Sequence, residues 1–218
     1  MERVWGGREL ASRLGRALPG NQPIGEAWEI VDRPEACSVV AEGPLAGQSL
    51  HDLWSGHREE IFGVRHTAAG PRFPLLCKVL DARDRLSVQV HPPARVAPRL
   101  GGEPKTEMWY FLACDPGSRI YAGLRPGTTE ELFGEKLRAG TVEACLHFRV
   151  ERRRVTRSAR LNPGGDFAIV TVASGAARCG DRVLGPGAFF LLPASGSPEV
   201  SAEADSCTVL VTTIPHAT

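Results

Sequence analysis

Two stretches of this chain decide its fold: Leu86-Ser87-Val88-Gln89-Val90-His91-Pro92-Pro93 and Lys105-Thr106-Glu107-Met108-Trp109-Tyr110. Side chains two positions apart in a β-strand point to the same face. If both stretches are strands, Gln89 and His91 share one face of the first, and Lys105 and Glu107 share one face of the second. An amide, an imidazole and a carboxylate could then converge, with an ammonium beside them. These groups make up most of a divalent-metal site.

A catalytic zinc ion usually has at least three protein ligands, and imidazoles are favoured among them. The chain offers no second histidine in a matching motif downstream of Glu107. His147 is the nearest downstream histidine, and two interpretations stand for it. It could replace the absent ligand, or it could simply end a helix, and we favour the second.

The composition limits the classes of function. The chain has 218 residues, a formal charge of +1 and 42% hydrophobic residues, so it can bury a core and has no electrostatic reason to bind nucleic acid or an anionic membrane. No apolar run reaches membrane length, and the N-terminus does not read as a signal peptide. The six cysteines form no Cys-x-x-Cys pair, which predicts free thiols in a reducing compartment. We therefore expect a soluble cytoplasmic protein, and its oligomeric state stays open.

Hydrophobic periodicity predicts a mostly β protein with few helices. Leucine spacing predicts a helix over residues 8–18, and apolar positions predict another over 49–63. A possible capping box at Thr128 and Glu131 starts a third helix, which ends near residue 140, and a short one follows over 142–146. Strands are predicted over residues 24–31, 73–81, 85–91, 105–114, 119–124, 149–155, 166–173, 176–184, 188–192 and 207–213. Pro-Gly turns separate many of them, which favours a cupin-type jelly roll with a small helical segment and a second, partial β lobe.

Five stretches in sequence order resemble the type I mannose-6-phosphate isomerases of the shorter bacterial kind, in the cupin superfamily. They are Trp5-Gly6-Gly7, Ile24 to Glu29, Phe73 to Lys78, Leu86 to Pro92 and Lys105 to Leu112. The resemblance implies a cupin-like catalytic lobe with a helical segment over residues 1–147. It implies a C-terminal cupin-like β lobe over residues 148–218.

By the same resemblance, Gln89, His91 and Glu107 match three ligands of a single zinc ion. Lys105 matches a lysine placed to contact the phosphate of a sugar phosphate. The family interconverts mannose 6-phosphate and fructose 6-phosphate by moving a proton between C1 and C2. The residue types suit that chemistry, because a cation stabilises the charge of an enediol and a lysine binds a phosphate as a point charge.

The chain departs from the family pattern after Glu107. The family continues with a metal histidine in a Pro-Ala-Gly-Thr-Val-His pattern and a catalytic arginine in a Thr-Tyr-Arg segment, and neither occurs here. A block of family sequence is absent at about residues 147–148. The departure leaves an alternative open, namely a catalytically impaired sugar-phosphate-binding or regulatory cupin protein. A purely structural cupin remnant is a third.

Overall fold

The structure is a computed structural model that describes residues 1–87, 89–120, 149–161, 165–196 and 198–214. The chain groups into two compact units. The first comprises Met1–Arg85 and Arg149–Ile214, and the second comprises Leu86–Phe148 and Pro215–Thr218. All the described strands belong to the first unit. The boundary predicted at residues 147–148 lies outside the described residues, so the predicted domain division stays a prediction.

The N-terminal part of the first unit consists of short elements. They are β1 (Glu2–Gly7), α1 (Glu9–Leu14), β2 (Glu26–Ile30), β3 (Asp32–Arg33), β4 (Ala36–Cys37), α2 (Leu50–Gly56) and β5 (Cys77–Leu80). A π-helical turn (Arg58–Phe62) and a 3-10 turn (Val64–His66) follow α2. Ser49 and Asp52 form a capping box that starts α2, because each side chain accepts a hydrogen bond from the other's backbone N–H.

The C-terminal part of the same unit contains eight antiparallel strands. They are β6 (Arg149–Val155), β7 (Ser158–Arg160), β8 (Ala168–Ser174), β9 (Ala177–Cys179), β10 (Arg182–Leu184), β11 (Phe189–Leu192), β12 (Glu199–Ala202) and β13 (Cys207–Thr213). They form two four-stranded sheets with the orders β11-β8-β13-β6 and β10-β9-β12-β7. This arrangement of eight strands in two sheets is a jelly roll.

The core of the jelly roll follows from alternation along its central strands. Val170 and Val172 of β8, with Val209 and Val211 of β13, are buried together with Val200 of β12 from the other sheet. Residues two apart on a strand share a face, so these valines project from two paired strands toward the opposite sheet.

The other face of β8 is covered by the N-terminal part of the first unit. Phe167 and Ile169 are buried in a cluster with Trp54, Phe62 and Phe73. The rings meet edge to face or tilted, with centroids 4.9 Å apart for Trp54 and Phe62 and 5.6 Å apart for Phe62 and Phe167. Both faces of β8 are therefore buried, which explains why its sequence is apolar almost throughout.

The structure confirms the mostly β fold predicted from the sequence. The predicted strands over residues 149–155 and 207–213 have the bounds of β6 and β13. The region predicted as a partial β lobe contains all eight strands of the jelly roll. The prediction was incomplete because the sequence pattern did not mark the short strands β7 and β12. The predicted helices over residues 128–140 and 142–146 lie outside the described residues.

Two predicted strands are wrong. The described residues in 85–91 and 105–114 are not in strands, and residues 119–120, which begin a further predicted strand, are not either. Within the described part of the second unit, the one regular element is a 3-10 turn (Ala97–Leu100). A strand needs a neighbour for its N–H and C=O groups, and side-chain alternation does not supply that neighbour.

Candidate functional site

The candidate site residues all lie in the second unit, and His91 is the most informative of them. Pro92 follows it directly, and the residue before a proline is biased to extended backbone. Its Nε2 atom is buried and has no hydrogen-bond partner among the residues that the structure describes. A buried polar atom without a partner costs free energy and calls for an explanation, such as an ion that would bind it. The placement of His91 fits a metal ligand.

Lys105 and Glu107 form an ion pair, although they do not lie in the strand that their spacing predicted. The Lys105 Nζ atom is 2.8 Å from Glu107 Oε1, and the two side chains are 34% and 29% exposed. A partly exposed ion pair of this kind contributes little to stability. Either partner can therefore give up the contact for a better ligand at small cost in free energy.

Gln89 is exposed, and its Nε2 donates a hydrogen bond to Ser87 Oγ at 3.2 Å. This hydrogen bond involves the amide nitrogen of Gln89 and does not involve its amide oxygen. The oxygen is the atom that would bind a cation. The donor types of Gln89, His91 and Glu107 thus fit a divalent ion, with two oxygens and one imidazole nitrogen.

The structure pairs Lys105 with Glu107 and Gln89 with Ser87. Over residues 1–87, 89–120, 149–161, 165–196 and 198–214, no three histidine, cysteine or acidic side chains stand in a group that could hold a metal ion. The convergence of His91 and Glu107 therefore stays a prediction. His147 lies outside the described residues.

Sequence reasoning missed the buried carboxylates of the first unit. Asp32 is 1% exposed and Asp166 is 2% exposed, and both bind basic side chains. The sequence could have indicated that both are buried, because Asp32 directly follows Val31 and Asp166 directly precedes Phe167, and both neighbours are apolar residues that favour strands. Glu26 is also buried, and it binds Arg3 and the indole N–H of Trp28.

The two sheets, the eight-stranded order and the mostly β composition define a cupin-type jelly-roll protein. The solved structure of the mannose 6-phosphate isomerase from Bacillus subtilis superposes on 98% of this chain and 97% of that chain, with a TM-score of 0.76 and 23% sequence identity. At that identity the likeness shows the fold alone.

Residues 1–109, half of the chain, match the family described as phosphomannose isomerase type I, catalytic domain. The chain belongs to the type I phosphomannose isomerase family. The family is metal-dependent. Gln89, His91, Lys105 and Glu107 all fall within the matched residues.

Curated relatives agree with the family match. The chain is 37% identical over 170 residues to a probable mannose-6-phosphate isomerase, GmuF, of Bacillus subtilis, covering 77% of this chain and 49% of that protein. It is 41% identical over 132 residues to the mannose-6-phosphate isomerase of Streptococcus mutans, covering 60% of this chain and 40% of that protein. The chain thus spans half or less of the length of these relatives.

Proposed function

We propose that this chain is a metal-dependent isomerase that interconverts mannose 6-phosphate and fructose 6-phosphate. The observation that carries the proposal is the family match over residues 1–109, which contains all four candidate site residues. The names of the curated relatives point to the same reaction. The alternative is a sugar-phosphate-binding protein without turnover.

The proposed cofactor is one zinc ion bound by Gln89, His91 and Glu107. The unpartnered Nε2 of His91 supports this assignment, because a buried imidazole nitrogen without a hydrogen bond is free to bind a cation. When bound, the ion supplies positive charge that stabilises the substrate oxygens as they become negative. Glu107 would exchange its contact with Lys105 for the cation.

The reaction moves one proton from C2 to C1 of the sugar and one between the two oxygens, so that the C1 aldehyde becomes an alcohol and the C2 alcohol becomes a ketone. Lys105 would bind the substrate phosphate as a point charge and so position C1 and C2. Its side chain is partly exposed and its contact with Glu107 is weak, so Lys105 can reach an incoming dianion.

The test compares zinc content and isomerase turnover in His91→Ala and Glu107→Gln variants. The matched control is His57→Ala, a partly exposed histidine that pairs with Glu60 and lies outside the candidate site. We expect both site variants to lose stoichiometric zinc. Their turnover should fall at least about a hundredfold, because a displacement of the reacting groups by about 1 Å lowers the rate that much. Full zinc content and full turnover in folded site variants would contradict the proposal.

The second candidate is favoured by the absence of a complete ligand group among the described residues. The chain also lacks the family's histidine and arginine patterns after Glu107. Under this candidate, mannose 6-phosphate binds through Lys105 and no product forms. Saturable sugar-phosphate binding with no turnover, in zinc-loaded protein, would favour it over the isomerase.

We propose a cytoplasmic location for the protein. The described cysteines Cys37, Cys77, Cys114, Cys179 and Cys207 carry free thiols, as a reducing compartment favours. No helix in the described part of the chain has the length and apolar character needed to cross a membrane.

A further inference from the structure

The first unit contains a shallow cavity of about 380 Å³, open to solvent, beside β1 and the start of α1. Its volume lies at the lower end of the range of small-molecule sites. The lining residues are Gly6, Gly7, Arg8, Glu9, Asn21, Pro23 and Arg83. None of them takes part in the proposed metal site.

Arg8 is fixed at this cavity by two hydrogen bonds. Its Nη1 atom donates to the backbone oxygens of Pro19 at 3.2 Å and Gln22 at 2.9 Å. Both acceptors are neutral carbonyls, so they hold the guanidinium in place without neutralising its charge. Arg8 therefore presents a positioned positive charge to the cavity.

Arg83 lies at the same cavity, where its backbone N–H is hydrogen-bonded and its side chain packs against Gly7. Its N–H donates to the Trp5 oxygen at 2.9 Å. A Cβ atom on Gly7 would stand 2.4 Å from Arg83 Cγ and 2.6 Å from Asp81 Oδ1, so a glycine is required for the Arg83 side chain to lie there. The Arg83 guanidinium has no carboxylate partner among the described residues.

The two nearby carboxylates each have another partner. Glu9 lines the cavity but forms an ion pair with Arg13. Asp81 is buried and accepts a hydrogen bond from the Glu9 N–H at 2.6 Å. Two guanidinium groups without carboxylate partners thus line a cavity that also holds the Asn21 amide, which can donate further hydrogen bonds.

We propose that this cavity binds the phosphate group of a small molecule through Arg8 and Arg83. Guanidinium groups match the oxygens of a phosphate in geometry and charge. The site does not depend on the proposed isomerase reaction, because it uses neither the metal ligands nor Lys105.

The test titrates the full chain with inorganic phosphate at constant ionic strength and measures the dissociation constant by calorimetry. We expect Arg8→Gln and Arg83→Gln each to weaken binding at least about tenfold, a change that corresponds to about 1.4 kcal/mol. Both side chains are exposed, so the variants should fold normally. The matched control is Arg178→Gln, whose arginine pairs with Glu203 in the jelly roll and should leave the constant unchanged.

Phosphate that binds no better than chloride would overturn the proposal, as would equal weakening by Arg178→Gln. Unchanged binding in both Arg8→Gln and Arg83→Gln would overturn it too. A Lys105→Gln variant separates this site from the proposed active site, because Lys105 is the residue proposed there to bind the substrate phosphate. Inorganic phosphate binding should persist in Lys105→Gln whether or not the chain is an isomerase, and its loss in the folded variant would contradict the proposed cavity.

Discussion

A single buried carboxylate, Asp32, connects three segments of the first unit. It accepts hydrogen bonds from Arg72 Nη1 at 2.6 Å and the Phe73 N–H at 2.9 Å, and it contacts His51 Nδ1 at 3.1 Å. Burial alone raises the pKa of Asp32, but these hydrogen bonds outweigh burial and the pKa lies below its usual value. The ionised form is therefore the one that the folded chain stabilises.

We expect Asp32→Asn to lower the free energy of unfolding by about 2 kcal/mol at neutral pH, because the amide loses charge-assisted hydrogen bonds. A depressed folded pKa gives stability that is present above the unfolded pKa of about 3.9 and is lost as pH falls through the folded pKa. The difference from the wild type should thus shrink in acid. Urea unfolding at a series of pH values measures it, with exposed Asp205→Asn as the control. A difference that stays constant down to strong acid would contradict this account.

Burial raises the pKa of the Cys77 thiol to about 12. The thiolate is the reactive form, so Cys77 should resist alkylation in the folded chain at pH 8. Cys114 is exposed and should react with iodoacetamide first. Mass spectrometry of peptides from the alkylated protein measures both rates, and urea should abolish the difference. Equal rates for the two thiols in native protein would show that Cys77 is accessible.

At the scale of elements, the 3-10 turn Val64–His66 docks on the residues that precede β8. Arg65 Nη2 and His66 Nε2 each lie 2.8 Å from an Asp166 carboxylate oxygen. Gly63 begins this turn at φ 103°, and a Cβ atom there would stand 2.5 Å from the Gly165 oxygen. The close contact between this turn and the residues before β8 therefore requires a glycine at position 63.

We expect Gly63→Ala to destabilise the fold by about 2 kcal/mol, since it adds the cost of a positive φ to a backbone clash. Gly56→Ala is the matched control, because no atom lies within 4 Å of a Cβ there and its backbone is not left-handed. It should be neutral or slightly stabilising, as an alanine at a helical position is favoured. Thermal unfolding midpoints distinguish the two, and equal midpoints would contradict the clash.

The sequence predicted the bounds of β6 and β13 and missed β7 and β12 for physical reasons. β6 and β13 are seven residues each, long enough for their apolar pattern to set both bounds. β7 and β12 have three and four residues and few apolar positions, so no periodicity marks them. Their place in the sheet comes from pairing with each other, which is a tertiary property.

The candidate site was predictable in part. Spacing predicted that Lys105 and Glu107 share a strand face; the two side chains form an ion pair, but residues 105–107 are not in a strand. Spacing and the family resemblance together singled out Gln89 and His91. The orphaned Nε2 of His91 could not be predicted, because it depends on what surrounds the ring. The cavity at Arg8 and Arg83 was also missed, since its residues are far apart in sequence and share no motif.

At the scale of the whole molecule, ordered backbone hydrogen bonding is unevenly distributed between the two units. In the first unit, β8 and β13 lie inside a four-stranded sheet with neighbours on both sides. In the second, described residues 108–112 are Met-Trp-Tyr-Phe-Leu, an apolar run whose side chains are about two-fifths to one-half exposed and whose backbone is not in a strand.

We therefore expect amide hydrogen exchange to separate the two units. Amides of β8 and β13 open only with global unfolding, so they should exchange slowest, while amides of residues 108–112 should exchange near the rate of an unfolded chain. Mass spectrometry of peptides from native protein measures both sets. If zinc binds through His91 and Glu107, adding it should slow exchange between those residues and leave β8 unchanged, because a bound ion stabilises only the state that holds it. His91→Ala provides the control, since its exchange should not respond to zinc. Protection of residues 108–112 equal to that of β8 without metal would mean that they are paired in a sheet, as their sequence predicts.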